Sequence, residues 1–500
     1  MIEPLLLAIL IPLVGAFLLP LAAMVSERLR NILALLFVLA AFACSASLLP
    51  SALSDEPAFF HVWLPLGMSF GFLADGLAVF MAMISSFIGA VIVFYSIAYL
   101  KKSRNKNEYY LMVTLFLGAM MGLVYSTNII FMYIFWEVSA ICCWRLIGFY
   151  REPDNILRAD KAFLVTGFGA FVMLIGFLLI YQQTQTFDLT QMQGVEISDL
   201  AVVLILVGIF SKSATLPLHT WLPDAGVAPA PVTSLLHAAV LVKIGIYAYA
   251  RLFLSGFSIG EVWQVVVPVI AAASALVAAG AAMRANDLKR IIAYSTVSQI
   301  GFIFLGLSTG NGLSVAGGLL YILMHGLAKG GLFLCAGIVE HNTHTKDIRK
   351  LGGLIKTMPI TAISFLLCAF SVMGLPPFGG FFSKYMVISG SVNAAFPWVA
   401  AVFILGTLMT VLYMARAFYA VFLGPAKADK TEKTEKVEAR EGSKMMVASV
   451  AGLAVLSLIG GLLIFYPSAF VQDIVVQMGM DPFDPLAFFH NLPTICRVLL

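Results

Sequence analysis

The feature that most limits what this chain can fold into is a succession of apolar runs, each about as long as a bilayer is thick. A transmembrane helix needs roughly 17 to 25 predominantly apolar residues. Runs of that kind cover residues 4–24, 31–50, 76–99, 109–126, 128–150, 160–181, 200–220, 230–252, 262–283, 290–307, 313–338, 359–390, 396–422 and 446–466. Lipid offers no hydrogen bonds to exposed backbone, so each run is expected to be a helix, fourteen in all. The fold class is therefore an all-α polytopic membrane protein. Composition agrees: 11% of residues are charged and 61% are hydrophobic, against roughly 25% charged in soluble domains. The first run begins without a basic flank, which reads as a retained first span.

Placement of the basic residues tests the count independently. With the N-terminus outside, the loops after odd-numbered spans carry Arg28 and Arg30, then Lys101, Lys102, Arg104 and Lys106, then Arg151, Arg158 and Lys161, then Arg284, Lys289 and Arg290. They go on to carry Lys346, Arg349, Lys350 and Lys356, and Lys427, Lys430, Lys433, Lys436, Arg440 and Lys444, while the other side has only Arg251 and Arg497. The excess of Lys and Arg marks the cytoplasmic face. Both termini are thus expected outside a bacterial or archaeal inner membrane. The alternating Lys and Glu residues of 427–444 read as a solvated cytoplasmic loop.

The basic residues left inside spans are Arg145, Lys212, Lys243, Lys329, Lys384 and Arg416, joined by the acid Glu137. An ionisable group in hydrocarbon is costly and marks function by default. Glu137 lies too far from either flank to snorkel, and Lys212 is the natural type of partner. Arg145, nearer a span end, is within snorkelling reach of the interface. His325 and Lys329 stand four residues apart and share a helix face. His237 precedes Lys243 in the same span. Low dielectric disfavours the charged form of a lysine, so such groups with water between them can pass protons.

Two spans carry internal breaks. Leu216-Pro217-Leu218-His219-Thr220-Trp221-Leu222-Pro223 interrupts the seventh, and Gly374-Leu375-Pro376-Pro377-Phe378-Gly379-Gly380 the twelfth. Each broken span also contains a lysine, Lys212 and Lys384. Paired interrupted helices point to an inverted-repeat transporter. Spans four to eight and nine to thirteen are both sets of five, so the second starts on the opposite side from the first. The organisation expected is residues 1–108 as N-terminal helices, 109–253 and 254–425 as two inverted five-helix repeats, and 426–500 as charged loop, last helix and short tail.

Several classes are excluded. No Gly-x-x-x-x-Gly-Lys-Ser/Thr loop and no Gly-x-Gly-x-x-Gly turn is present. The cysteines Cys44, Cys142, Cys143, Cys335, Cys368 and Cys496 show no repeated Cys-x-x-Cys spacing and read as small apolar residues. Neither cofactor, metal nor catalytic site is expected, and no nucleic acid partner. Energy must come from an ion gradient or from a neighbouring protein of the same assembly.

Trp136-Glu137 with Leu146-Ile147-Gly148-Phe149 resembles a segment of the antiporter-like membrane subunits. So do Lys212-Ser213-Ala214, His219-Thr220-Trp221-Leu222-Pro223-Asp224-Ala225 and Ala228-Pro229-Ala230-Pro231-Val232. Asp287-Leu288-Lys289-Arg290 with Ala293-Tyr294-Ser295-Thr296-Val297-Ser298-Gln299 is similar to a further segment of that family. The family comprises membrane-arm subunits of respiratory complex I, large Mrp antiporter subunits and energy-converting hydrogenase subunits, and the likeness covers roughly residues 70 to 425.

The resemblance implies fourteen helices, two inverted repeats and a central polar axis. It also implies that Glu137 and Lys212 form a gating charge pair and that Lys243 is the central relay. His237, His325 and Lys329 would lie along the connection, and Lys384 would exchange protons with the outside. The implied activity is proton translocation within a redox-driven, hetero-oligomeric membrane complex. The alternatives are cation/proton exchange in an Mrp-type assembly, with sodium as a second ion, and a transport-inactive scaffold. Cys142-Cys143-Trp144-Arg145 departs from the small polar residues and tyrosine of many relatives, and Thr166-Gly167-Phe168-Gly169-Ala170 lacks their Arg and Asp. The tail after the last helix is too short for the long lateral helix of the most distal complex I subunit, so a central subunit type is expected.

Overall fold

The computed structural model describes residues 2–483 apart from 55, 65–68, 395 and 426–439. The Lys427–Lys436 part of the charged loop, Cys496 and Arg497 lie outside the described residues. Twelve helices among the described ones are long and apolar enough to cross a membrane. They are α1 (Ile2–Val25), α2 (Glu27–Ser47), α3 (Gly76–Tyr99), α4 (Lys106–Tyr125), α5 (Ile129–Ile147), α6 (Pro153–Thr184), α8 (Ala230–Leu254), α9 (Trp263–Arg284), α10 (Leu288–Leu307), α11 (Gly312–Thr343), α13 (Pro397–Leu423) and α14 (Lys444–Leu462). The two spans missing from that set are the broken ones. Span seven is α7a (Asp199–Lys212) followed by the one-turn α7b (Trp221–Asp224). Span twelve is α12a (Pro359–Met373) followed by α12b (Gly379–Asn393). The expected fourteen spans are therefore all present, with breaks at the two proline-bearing segments.

Side-chain caps set many helix starts. Ser26, Asp75, Asn128, Ser198, Asp287, Asn311 and Ser443 each accept a bond from a backbone N–H of the turn they precede, as the orphan amides of a helix N-terminus require. Glu441 does the same for α12a, accepting from the Ile360 and Thr361 amides at 2.6 and 3.1 Å.

Two elements have no counterpart in the sequence reading. An antiparallel hairpin, β1 (Ala58–Trp63) with β2 (Ser69–Ala74), lies between α2 and α3. A further helix, α15 (Phe465–Gln477), follows α14. Gln477 of α15 accepts from the Gly76 amide at 3.0 Å and donates to the Ala52 carbonyl at 2.7 Å. This seats α15 on the start of α3.

Burial ranks the helices. The apolar window of α8 is wholly buried, with those of α11 and α10 close behind at 94% and 89%. α2, α6 and α13 bury less than half of theirs. The centre of the molecule is thus α8, α10 and α11, and α12b, α14 and α15 pack on α11. These central helices carry most of the buried ionisable residues.

Candidate functional site

The break in α7 follows directly on Lys212. Ser213, Thr215 and Leu218 donate backbone bonds to Ile209, Phe210 and Thr215, and the Leu216 amide donates to Ser274 Oγ of α9 at 3.0 Å. The Trp221 indole donates to the Ser211 carbonyl at 2.9 Å. The frayed end is thereby satisfied inside protein, the condition for irregular backbone at membrane depth. Lys212 is fully buried; its Nζ donates to the Trp136 carbonyl at 3.0 Å and lies 5.3 Å from the Trp136 ring centroid.

Glu137 is the ninth residue of the nineteen in α5. It is half-buried, its Oε1 is shut off from solvent without a hydrogen-bond partner, and no salt bridge joins it to Lys212. The sequence placed these two as a pair. Lys212 bonds the carbonyl preceding Glu137 and stays within electrostatic range of the Glu137 carboxylate. Arg145 is paired elsewhere, on Glu108 of α4 at 2.6 Å, and Arg151 shares that acid at 2.5 Å.

α8 is distorted at its centre. Leu235–Ala239 forms a π-turn containing His237, and Val240 leaves helical geometry at φ −129°. Such turns are rare and concentrate at functional sites. Lys243 follows one turn later. Lys243 Nζ and both ring nitrogens of His237 and of His325 are buried without any partner. His325 is in electrostatic range of Lys243, Lys329, His237 and Lys384. The His237 ring packs at 4.4 Å on Phe333, and the Lys243 amine faces the backbone of Gly326, next to His325.

Lys329, one turn beyond His325, donates to the Ile292 carbonyl at 3.1 Å and to Ser295 Oγ at 2.6 Å. From Ser295 a buried polar chain runs on: Ser295 Oγ meets Tyr413 OH at 2.8 Å, and Gln299 Nε2 donates to Tyr413 OH and Thr410 Oγ1, each at 3.2 Å. Tyr321 OH donates to Gln299 Oε1. The Tyr321 ring then carries Lys384 Nζ 5.5 Å from its centroid. Lys384 donates to the Val372 carbonyl at 2.8 Å. That carbonyl belongs to the last turn of α12a, where helix acceptors lack intrahelical partners. Gly374, at φ +76°, turns the chain there, with Leu375 N bonding Phe370 O; a glycine in the left-handed region is the common way to end a helix.

The expected residues thus fall into three groups. His237, Lys243 and His325 come together at the centre. Lys329 and Lys384 are joined through a polar chain, and Lys212 and Glu137 lie beside one another on α7a and α5. Sequence reasoning missed Gln299, Tyr321, Thr410 and Tyr413, and gave Ser295 no role. Lys289, expected in a loop, is a buried first-turn residue of α10. Among the described residues no group of three or more His, Cys, Asp or Glu is placed to hold a metal ion.

A bundle of fourteen spans with two broken helices and a buried row of basic groups defines an antiporter-like membrane protein. The family model described as NADH:quinone oxidoreductase/Mrp antiporter, TM, matches residues 126–410, and that for the NADH-ubiquinone oxidoreductase (complex I) chain 5 N-terminus matches 63–110. The chain belongs to this NADH:quinone oxidoreductase/Mrp antiporter family. It is 37% identical over 408 residues to an Na(+)/H(+) antiporter subunit of Alkalihalophilus pseudofirmus, covering 73% of this chain and 50% of that one. The chain therefore spans about half the length of the curated relatives it matches. The fold is similar to a chain of the Mrp complex from Dietzia sp., with TM-score 0.83 and 23% identity over 96% of this chain and 100% of that one. It is also similar to a chain of respiratory complex I from Thermus thermophilus, with TM-score 0.78 and 22% identity over 95% and 99%.

Proposed function

We propose that this chain moves protons across the membrane along the row Glu137, Lys212, Lys243, His237, His325, Lys329 and Lys384, as one membrane component of a redox-driven complex. One observation carries this reading: Lys243, His237 and His325 meet in the buried centre of the bundle with no hydrogen-bond partner on any side-chain nitrogen. Buried polar groups in proteins are nearly always bonded to protein or to water. An orphaned amine and two orphaned imidazoles therefore need internal water, and water between basic groups is a proton path. A scaffold that had lost transport would gain nothing from leaving such groups unpaired.

In this reading Lys243 is the central carrier. The Glu137–Lys212 charge pair gates it, His237, His325 and Lys329 lie along the connection, and Lys384 exchanges protons with the outside. Lysines held by single carbonyls (Trp136 for Lys212, Val372 for Lys384) keep an ammonium in place yet release it at modest cost. The breaks of α7 and α12 support two inverted five-helix units, 109–253 and 254–425. The basic loops support a cytoplasmic face for that side of an inner membrane, with both termini outside.

A second reading, cation/proton exchange, is favoured by the 37% identity to an Na(+)/H(+) antiporter protein. In that case the same row carries the proton limb and sodium is the counter-ion.

Ion movement in membrane vesicles holding the intact complex tests both. Lys243→Ala and Glu137→Ala should assemble and lose pumping, and replacing sodium by potassium separates the two readings. Normal pumping by both assembled variants would make the row structural and end the proposal.

A further inference from the structure

On the side of the basic loops a cavity of ≈ 670 Å³ opens between α3, α6 and the end of α11. Its wall includes Tyr99, Lys102, Glu152, Glu340, His341 and Lys346. The rim is held in place: Leu288 N bonds Lys346 O at 2.8 Å, and Lys346 Nζ lies 3.2 Å from Asp287. At its inner wall Glu340 meets Lys289 in an ion pair of 2.5 Å. Lys289 is only 2% exposed, and it also donates to the Ala228 carbonyl at 3.0 Å, beside the broken α7. Burying a lysine this deeply beside a cavity is costly unless paired, and nothing in the α10 capping scheme calls for it.

What lies inward gives the pair a use. Lys289 is three residues ahead of Ile292, whose carbonyl takes Lys329 Nζ. Three residues are about 4.5 Å along a helix. One turn of α10 thus separates the position of Lys289 from the carbonyl that holds Lys329.

We propose that this cavity is the proton port of the basic-loop side, with the Glu340–Lys289 pair as its gate. The inference rests on the relay reading above. A hydronium in the cavity protonates Glu340, leaving water and a neutral carboxyl. Lys289, deprived of its counter-charge, passes a proton through intervening water to the neutral Lys329 amine. The Glu340 carboxyl then returns its proton to Lys289. One proton has moved inward, and the pair is restored. The mixed lining suits small hydrated cations rather than organic substrates: acids attract them, and Lys102 and Lys346 limit how many gather.

The test blocks the port from outside in everted vesicles containing the assembled complex. His341→Cys places a thiol in the cavity wall, where a membrane-impermeant cationic methanethiosulfonate reagent can reach it. Modification should slow proton movement about tenfold, since charge at a cleft mouth alters cation capture by that order or more. Dithiothreitol should restore it, and wild type treated alike should be unaffected. Glu340→Gln should slow movement, with Glu340→Asp largely retaining it. If the modified His341→Cys protein moves protons at the wild-type rate while Lys243→Ala is inactive, the port is wrong and the relay stands. If Lys243→Ala is itself fully active, relay and port fall together.

Discussion

Lys243 and Gly326 face each other so closely that a Cβ on residue 326 would lie 2.8 Å from the Lys243 Nζ. The glycine of α11 is thus what lets the amine of α8 reach the backbone next to His325. A second neighbour of that Cβ, the Ile88 Cδ1 at 2.8 Å, is also the tip of a flexible side chain, and the nearest backbone atom, the Ala238 carbonyl oxygen, stays at 3.3 Å.

Gly326→Ala should therefore fold and assemble nearly as wild type while displacing the amine proposed as the central relay. A misplacement of about 1 Å can cost a positioned reaction on the order of 100-fold. Transport in vesicles should fall by at least about tenfold, with complex yield on a native gel little changed. Wild-type transport from an assembled Gly326→Ala complex would mean that the position of Lys243 does not matter.

Arg145 supplies a contrast. Its guanidinium is committed to Glu108, which also takes Arg151, so it ties α5 to α4 on the basic-loop side. These groups are each roughly a third exposed, and such pairs contribute little, about 0 to 1 kcal/mol. Arg145→Met should lower thermal stability slightly and leave proton movement unchanged. A collapse of transport with assembly intact would place Arg145 in the relay.

Asp75 stands at the N-cap of α3, ahead of the span, and its two oxygens take the two Arg251 amino groups at 2.5 and 2.7 Å. Burial pushes this carboxyl up, but the Arg251 guanidinium and the Ala78 amide pull it down by more, so it sits below the usual carboxylate range. Removing one member of such a pair leaves the other charge uncompensated, at a cost of about 3 kcal/mol or more. Asp75→Asn should melt well below wild type at neutral pH. A depressed pKa gives stability that is present above the unfolded value, about 3.9, and lost as pH falls through the folded one. The melting difference should therefore hold from about pH 8 to about pH 5 and shrink only in stronger acid. A difference that vanishes near neutrality would be inconsistent with this pair.

How much of this was legible depends on what each feature is made of. Spans are local: a long unbroken apolar run needs no partner to be recognised, and the breaks of α7 and α12 carry their own prolines and glycines. Charge in hydrocarbon is equally conspicuous, which is why Lys212, Lys243 and Lys384 stood out. The π-turn at His237 was invisible, because Leu235-Leu236-His237-Ala238-Ala239 contains no breaker and is distorted by its packing. Lys289 was misplaced because the apolar run begins at 290, although Asp287 is a readable N-cap for a helix starting at Leu288. The choice of the Trp136 carbonyl by Lys212, with the Glu137 carboxylate in electrostatic range, is likewise tertiary; spacing along the chain names partner types but not which oxygen a lysine chooses.

The polar chain beyond Lys329 was the least legible part, since Ser295, Gln299, Thr410 and Tyr413 are neutral residues scattered over α10 and α13. Tyr413 is its junction: its hydroxyl meets Ser295 Oγ, takes a bond from Gln299 Nε2 and donates to Thr410 Oγ1 at 3.2 Å. Tyr413→Phe removes only that oxygen and keeps the ring volume. Ser295 then loses the group it meets besides Lys329, and Gln299 loses one of two acceptors. Each buried polar group left unsatisfied costs about 1 to 3 kcal/mol, so the protein should melt measurably lower. Gln299 should also loosen its hold on the Tyr321 hydroxyl, and with it the ring beneath Lys384. Proton movement should slow while the Lys243→Ala defect stays more severe, because the central pocket is untouched. Tyr413→Trp, which overfills the site, would confound packing with bonding, so the comparison to make is Tyr413→Phe against wild type. Equal transport by wild type and Phe proteins would show that Lys329 and Lys384 communicate without this chain.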